Sequence, residues 1–390
     1  MRLSMNTRYA VIHASFWGAY GSLWAFIALV LEYNGFASAQ VGVVTSCATL
    51  LSVFLSPAVS SLLDARPGLE NRHGAMALLT LAAALCLLAW LVPLPRPFVL
   101  GACFALIGAL LSSTPPFQNA MAMDANRCGI PVVYGFCRGV GSVSYAAAVL
   151  LLGFVLERHA PTLLLPVFAA LTACGLLAMS GFRLPERPDE AADRPAEHRS
   201  IAAVLRSHPR FALTLLGCMF FFLTHTISNT YMNALVGKAG GTASAVGTSL
   251  AISAVLELPA MTLVSRLQKR FSPGFFLRFA AGAEVVKFLI FYLAHSMPLI
   301  YLGQCMQFFQ FAVYAPATVY YVAAALPERD QLKGQSLIYV AGSGLGGALG
   351  NLLGGRLLDR SGIQAALLLG TVSAAASLLT FCLSTRKDSR

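Results

Sequence analysis

Four charged side chains interrupt long apolar stretches of this sequence. Glu257 lies in the middle of the apolar run 246–264, and Arg138, Glu284 and Lys287 lie inside other such runs. A charge at the centre of a bilayer costs about 2.5–3.5 kcal/mol on insertion scales. Such side chains line cavities, pair with opposite charges or carry protons. Their types therefore indicate proton transfer and the binding of a polar solute.

Arg138 belongs to a pattern suited to binding. Arg138, Gly141 and Tyr145 are three and seven positions apart, which puts them on one face of a helix. The guanidinium would bind a polar or anionic group, the glycine would leave room for it, and the ring would pack on its flat side. The alternative is that Arg138 extends to the inner membrane interface.

Two further polar stripes lie within apolar runs. Gln304, Gln307 and Tyr314 follow one helical face, and so do His225 and Asn229. We expect these five side chains to bind the solute. Side-chain amides and a histidine can instead bridge neighbouring helices, which is the alternative for both stripes.

Glu284 and Lys287 are three positions apart, so they could neutralise each other on one helical face. Otherwise Lys287 is available to Glu257. A glutamate that switches between a cationic neighbour and apolar surroundings would bind and release protons. We therefore assign proton coupling to Glu257, Lys287 and Glu284.

Glycine residues in one apolar run predict close helix packing. The segment 342–347 matches G-x-G-x-x-G, but no strand precedes it. The spacing of four predicts a flat helix face instead, formed by Gly342, Gly346, Gly350 and Gly354. The sequence has no Walker A motif, no HExxH and no nucleophile elbow, and its nine Cys show no paired spacing. We therefore expect no enzyme activity, no cofactor and no metal site.

The elements that position these residues are membrane helices. Hydrophobic residues make up 57% of the 390 residues and charged residues 11%, which excludes a soluble globular protein. A span needs about 20 apolar residues. Twelve are predicted, near 9–32, 40–63, 75–92, 98–119, 134–156, 162–182, 211–236, 245–265, 275–295, 298–321, 337–358 and 364–384.

One long polar segment divides the chain into six spans and six. We predict an amino-terminal six-helix bundle (1–183), a cytoplasmic linker (184–210) and a carboxy-terminal six-helix bundle (211–390). The segments 38–42 and 243–247 echo each other in sequence. The expected fold is therefore an all-α membrane protein of two pseudo-symmetric bundles, with a solute site between them near the midplane.

The distribution of basic residues predicts the orientation. With the amino terminus inside, twenty of the 27 Lys and Arg residues fall on the inner side and five on the outer side. We expect a monomeric, multi-pass protein of the bacterial inner (plasma) membrane with both termini cytoplasmic. The net charge of +11 then reflects topology and the anionic lipid bilayer, not nucleic acid.

Four segments resemble the major facilitator superfamily, in particular the branch of lactose permease and the phenylpropionate- and nucleoside-type proton symporters. They are 57–64 followed by Arg66 and Arg72, 134–145, Glu257 before Leu258-Pro259, and 342–360. The resemblance implies a gating role for Asp64, Arg66 and Arg72. It also places Arg138 and Tyr145 at solute-binding positions and Glu257 at the eighth-helix acid.

Other positions depart from that pattern. Asn119 falls near the fourth-helix acid of the family, with Asp124 five residues further on, and the two remain alternatives for that site. Gln307 stands at the tenth-helix histidine, Gln310 at the acid after it and Lys287 at the ninth-helix arginine.

Together, the residues and the resemblance predict proton-coupled uptake of a small polar or anionic organic solute by alternating access. Arg138, Tyr145 and Asn119 would form the amino-terminal wall of the site. Glu257, Lys287 and Gln307 would form the carboxy-terminal wall. The alternative is efflux of an amphipathic compound or drug by proton antiport, which the aromatic-rich spans would suit.

Overall fold

The computed structural model describes residues 4–66, 68–185, 201–268 and 270–386. Within these ranges it does not describe the side chains of residues 64, 201–203, 258, 265, 328, 329 and 332. The described residues form helices joined by turns, with no strand among them. This agrees with the composition, because a backbone inside lipid must satisfy its hydrogen bonds within each helix.

Twelve long helices are present among the described residues. In chain order they are α1 (Met5–Tyr33), α2 (Ser38–Asp64), α3 (Asn71–Leu91), α4 (Phe98–Arg127), α5 (Tyr134–Val155), α6 (Pro161–Ser180), α7 (Pro209–Thr230), α8 (Ala243–Leu267), α9 (Pro273–Leu293), α10 (Met297–Ala325), α11 (Lys333–Ser361) and α12 (Ile363–Ser384).

Eleven of these helices are long and apolar enough to cross a membrane. The twelfth, α9, has 21 residues but carries Arg278, Glu284 and Lys287. The predicted all-α membrane fold with twelve spans is thus confirmed. Helix α9 stands apart because it contains two of the predicted functional residues.

Several helices depart from regular α geometry. Helix α1 tightens into a 3₁₀ turn at Trp24–Phe26, and α10 does so at Met306–Phe308. In α11, the segment Val340–Gly346 widens into a π-helix, which follows the helix Glu328–Tyr339. Such irregular turns often occur at functional sites.

The chain divides into two compact units. One consists of Met1–Glu190 with Ala243–Ala254, and the other of Ala191–Thr242 with Val255–Arg390. Helix α8 therefore contributes its first half to one unit and its second half to the other. The predicted linker 184–210 lies partly outside the described residues, and Ile201–Ser207 within it forms a short helix.

Each unit has its own helix packing. In the first unit, α1 packs on α5 and α6, α2 on α4, and α3 on α4 and α6. In the second, α7 packs on α11 and α12, and α9 packs on α10 and α12.

The four predicted packing glycines of α11 lie against α7 and the residue that follows it. A Cβ atom added at Gly346 would lie 2.2 Å from the carbonyl oxygen of Met219, and one at Gly350 would lie 2.4 Å from that of Leu223. Gly342 and Gly354 face the rings of Phe222 and Tyr231. The two helices are therefore in backbone contact, which any side chain at Gly346 or Gly350 would prevent.

Candidate functional site

A chain of polar side chains connects three helices of the second unit. Lys287 of α9 donates from Nζ to Oε1 of Gln307 on α10 at 2.9 Å. The Nε2 of Gln307 donates to Oε1 of Glu257 on α8, also at 2.9 Å. Lys287 is 1% exposed and Gln307 is 3% exposed, whereas Glu257 is half-buried. One neutral amide thus joins a buried ammonium group to a more accessible carboxylate.

The local backbone explains how these groups meet. Gln307 lies in the 3₁₀ turn of α10, and Gln310 just beyond it has φ −100° and ψ −94°, outside helical values. Pro259 lies two residues after Glu257 inside α8 and has no N–H for the helix. Helix α10 is therefore irregular, and the continuous helix α8 lacks one backbone donor, next to the side chains that form the chain of hydrogen bonds.

Glu284 lies one helical turn before Lys287 on α9. It is 0% exposed, and neither of its carboxylate oxygens has a hydrogen-bond partner among the described residues. Glu284 therefore makes no hydrogen bond to Lys287, which the alternative of a self-neutralising pair would require. A carboxylate in these surroundings requires either a proton or a nearby cation.

The second polar stripe surrounds His225 on α7. Its ring stacks on Phe311 with centroids 4.4 Å apart and an interplanar angle of 8°. The Nδ2 of Asn229 lies 3.1 Å from Nε2 of His225, and the Nε2 of Gln310 lies 3.5 Å from its Nδ1. His225 is thus held between amides and a ring, and it belongs to the same unit as Gln307.

Two other predicted binding residues are buried. Tyr314 is 2% exposed and stacks on Phe221 at 3.9 Å between centroids. Gln304 is 2% exposed, and its Nε2 lies 3.7 Å from Sδ of Met232. Gln304 therefore contacts the short helix Met232–Lys238.

Arg138 on α5 faces α1 in the first unit. Its guanidinium carbon lies 4.1 Å from the centre of the Trp17 ring, and Nη1 donates to Oγ of Ser142 at 2.8 Å. A Cβ atom at Gly141 would lie 2.6 Å from Cδ1 of Trp17, so the glycine lets the indole approach. Tyr145 packs on α1 further along, against Gly21. The arginine is thus held over an aromatic face, a cation–π arrangement.

The two fourth-helix alternatives make different contacts. Asn119 accepts a hydrogen bond from the Tyr134 hydroxyl at 3.1 Å, one turn before Arg138. Asp124 is 7% exposed and accepts from Nδ2 of Asn71 at 2.7 Å, with Arg127 at 4.0 Å. Asn119 is therefore connected to the start of α5, whereas Asp124 ties the end of α4 to the start of α3.

The predicted gating residues lie around the turn between α2 and α3. Arg72 pairs with Glu70 at 2.9 Å, and Arg66 is exposed. The side chain of Asp64 lies outside the described part of the chain.

Three further polar residues of the first unit have buried nitrogen atoms without hydrogen-bond partners among the described residues, and none of the three is among the sequence predictions. His13 is 1% exposed, and neither ring nitrogen has a hydrogen-bond partner among the described residues. The Trp17 Nε1 and the buried side-chain amide of Gln118 are likewise unpartnered there. Tyr9, His13 and Trp17 recur every fourth residue, the signal that could have revealed a polar face on α1. Within the described residues, no group of three His, Cys, Asp or Glu side chains could hold a metal ion.

The chain is similar to known transporters in sequence and in fold. The model of the MFS_1 like family matches residues 6–369. Maltose permease of Geobacillus stearothermophilus is 27% identical over 286 residues, which are 73% of this chain and 71% of the permease. The uncharacterized transporter YwbF of Bacillus subtilis (strain 168) is 22% identical over 388 residues, 98% of this chain and 94% of that protein. The crystal structure of the nucleoside transporter NupG has a TM-score of 0.81 at 16% identity and covers 100% of both chains, so the fold is shared.

Proposed function

The chain belongs to the MFS_1 like family and is a transporter of the major facilitator superfamily, and on this premise we propose that it couples proton entry to the uptake of a small polar or anionic organic solute. The hydrogen bonds from Lys287 through Gln307 to Glu257 are the observation that carries the proposal. Glu257 is the acid that takes up the proton.

The arrangement supports proton coupling for an electrostatic reason. A carboxylate attracts an N–H donor about twice as strongly as a neutral group does. When Glu257 binds a proton, it therefore holds the Gln307 amide less tightly. Gln307 lies in the irregular turn of α10, so a change in its partner is coupled to the local backbone. Glu284 and Lys287, both on α9, determine the electrostatic potential at the Gln307 amide.

Solute binding is assigned to both units. In the first unit, Arg138 with Tyr145 and Asn119 supplies charge, a ring and an amide. In the second, Gln307, Gln304, Tyr314, His225 and Asn229 supply polar and aromatic contacts. Arg138 and Lys287 are the two cations among these groups, and together they support a preference for anions. The maltose permease and NupG are named for a sugar and a nucleoside, which supports a polar solute.

We also propose where the protein lies in the cell and how it is oriented in the membrane. The excess of Lys and Arg in the predicted inner segments supports an inner-membrane protein with both termini in the cytoplasm. We further propose that the protein works as a monomer, with gating by the turn that holds Asp64, Arg66 and Arg72. No cofactor is needed, because the proton gradient supplies the driving force.

Export of an amphipathic compound by proton antiport is the second candidate. The aromatic contacts of Phe222 favour it: its ring lies 5.9 Å from His225, 6.1 Å from Phe311 and 5.8 Å from Tyr314. The direction of solute movement under a proton gradient separates the two candidates.

Proteoliposomes with an imposed pH gradient test the proposal. Labelled maltose, uridine and 3-phenylpropionate are offered to the wild-type protein and to Glu257→Gln. We expect the variant to lose accumulation against a gradient while it retains counterflow exchange, since exchange needs no net proton movement. The matched control is Glu157→Gln, which alters an exposed acid two residues after α5; glutamine keeps an acceptor for Ser244, so both activities are retained.

Accumulation by Glu257→Gln at the wild-type level would contradict the proposal. Gradient-driven loss of solute, in place of uptake, would favour export.

A further inference from the structure

An open groove lies between α8 and α10 in the second unit. It has a volume of about 500 Å³, and its walls are Pro259, Thr262, Leu263 and Arg266 of α8 and Phe308 of α10. This volume falls within the range of ligand sites, which is about 300–1,000 Å³. Three of the five side chains are apolar, and Arg266 is the charged one. The groove therefore has the composition of a site for a ligand with an anionic group and an apolar part.

The groove lies on a different face of α8 from the proton-coupling residue Glu257. Successive residues of a helix are turned by about 100°, so Arg266, nine positions after Glu257, points to the opposite side. The other three α8 residues of the groove are turned from Glu257 by about 140–240°. All four are exposed, whereas Glu257 is half-buried. Proton coupling by Glu257 therefore leaves this groove unused.

The charge at one end of the groove has no counter-charge nearby. The segment 258–283 contains four basic residues but no Asp or Glu. Arg266 and Arg270 are exposed, and no acidic side chain pairs with either of them among the described residues. A guanidinium binds a phosphate or carboxylate through two parallel hydrogen bonds. Arg266 therefore provides a binding group for an anion.

Exposed rings continue the apolar surface from the groove to α9. The centroid of Phe308 lies 4.9 Å from that of Phe309, which lies 6.3 Å from that of Phe279. Phe279 stacks on Phe275 at 6.1 Å, and Phe275 stacks on Phe271 at 4.8 Å. We call Phe271, Phe275, Phe279 and Phe309 the phenylalanine strip, and each of its members is between 38% and 44% exposed. The groove is thus bordered by apolar surface on its α10 side.

The order of charged and apolar groups along the groove matches that of a phospholipid. Arg266 lies in the last turn of α8, and Pro259 lies about 10 Å further into the helix at 1.5 Å per residue. The phenylalanine strip begins next to Arg270 and runs into α9 and α10. A phospholipid likewise has its phosphate at the membrane surface and its chains directed inward. A soluble anion would leave the apolar walls uncovered, and an uncharged lipid would leave Arg266 without an anion.

We propose that the groove binds one anionic phospholipid, with the phosphate on Arg266 and an acyl chain along Pro259, Leu263 and Phe308. In the orientation proposed above, this lipid belongs to the inner leaflet. The site does not depend on the identity of the transported solute or on proton coupling. It differs from general attraction to an anionic membrane, because it requires one arginine and the space beside it.

Native mass spectrometry of the full chain in detergent tests the site. Dipalmitoyl phosphatidylglycerol is titrated into the wild-type protein, and the affinity of the first bound molecule is measured. Dipalmitoyl phosphatidylcholine, which has the same chains but no net charge, and glycerol phosphate, which has the charge but no chains, are titrated in parallel. We expect phosphatidylglycerol to bind about tenfold more tightly than either, because only this ligand supplies both an unopposed anion for the arginine and a chain for the groove.

Two variants locate the site. Arg266→Gln removes the charge and should weaken phosphatidylglycerol binding about tenfold. Leu263→Trp keeps the arginine but fills the groove, so it should also weaken binding. The controls Arg210→Gln and Leu302→Trp make the same changes at exposed positions outside the groove and should bind as the wild-type protein does.

Each of two results would overturn the site. One is that phosphatidylcholine or glycerol phosphate binds to the wild-type protein as tightly as phosphatidylglycerol does. The other is wild-type affinity for phosphatidylglycerol in folded Arg266→Gln or folded Leu263→Trp. The ligand comparison uses unaltered protein, so it decides even if a variant does not fold. The proposed function is tested by transport under a gradient, so the lipid site and proton coupling can fail separately.

Discussion

Lys287 and Glu257 bind opposite ends of one side-chain amide. The ammonium group donates to the oxygen of Gln307, and the nitrogen of the same amide donates to the carboxylate. Each charge therefore strengthens the hydrogen bond that the other makes, since bonds in a chain polarise one another. Glutamine suits this position because it is at once an acceptor for the cation and a donor for the anion.

Replacing Gln307 by leucine should separate the two charges. It leaves the buried ammonium of Lys287 without its hydrogen-bond acceptor, so we expect a loss of about 2–3 kcal/mol in stability and the loss of gradient-driven uptake. Thermal unfolding of the purified protein and uptake in proteoliposomes measure both effects. The control Gln268→Leu alters an exposed glutamine and leaves both unchanged. Unaltered uptake by Gln307→Leu would show that the amide has no part in coupling.

Replacing Lys287 should lower the free energy of unfolding, because two acids, Glu284 and Glu257, lie near its charge. Glu284 is fully buried without a hydrogen-bond partner among the described residues already in the wild type, so Lys287→Met removes the cation whose charge acts on it; removing one partner of a buried charge pair typically costs about 3–5 kcal/mol. Adding Glu284→Gln to Lys287→Met should recover a large part of that loss, because the second change removes the unpaired acid. The unfolding temperatures of Lys287→Met, Glu284→Gln and the double variant measure the energetic coupling between Lys287 and Glu284. Additive effects would mean that Lys287 does not stabilise Glu284.

The backbone contact between α11 and α7 makes a steric prediction. A methyl group at Gly346 or Gly350 would meet a carbonyl oxygen of α7 at 2.2 or 2.4 Å, so either alanine variant should lose about 1–3 kcal/mol in stability. Gly282→Ala on α9 is the matched control, because no atom lies within 4 Å of its added Cβ. Alanine there should be neutral or stabilising, since it favours the helix. Equal unfolding temperatures for Gly346→Ala and the wild type would refute the close contact.

Substitution of Asn119 should affect solute binding, whereas substitution of Asp124 should affect stability. Asn119→Ala removes the acceptor for Tyr134 next to Arg138, so we expect solute binding to weaken about tenfold. Asp124→Asn weakens the tie to Asn71 and should cost about 1 kcal/mol of stability with binding unchanged. Calorimetric titration together with thermal unfolding distinguishes the two effects. Weaker binding in Asp124→Asn with Asn119→Ala unaffected would reverse the assignment.

The twelve helices could be predicted from the sequence because each needs one simple property, an apolar run of sufficient length. Helix α9 is predicted despite Arg278, Glu284 and Lys287, since most of its other residues are apolar. The irregular turns at 306–308 and 340–346 could not be predicted, because they depend on packing against neighbouring helices.

The charged residues of the candidate site could also be predicted, because they interrupt these apolar runs. Glu257, Lys287 and Arg138 conflict with their apolar surroundings, and such a conflict can be read from one chain segment. Their partners could not be identified in this way. That Lys287 reaches Gln307, and that Arg138 covers Trp17, depends on helices distant in sequence. His13 carries no formal charge and was overlooked among the aromatic residues of α1.

The contact of Gly346 and Gly350 with the α7 backbone also affects how the protein can be observed during turnover. Helices that touch through main-chain atoms have little space to slide or rotate past each other, so we expect α7 and α11 to move together. A spin label on each would keep one fixed separation in every state. The distance between these two labels would be a constant reference, with which the displacement of labels on other helices can be compared.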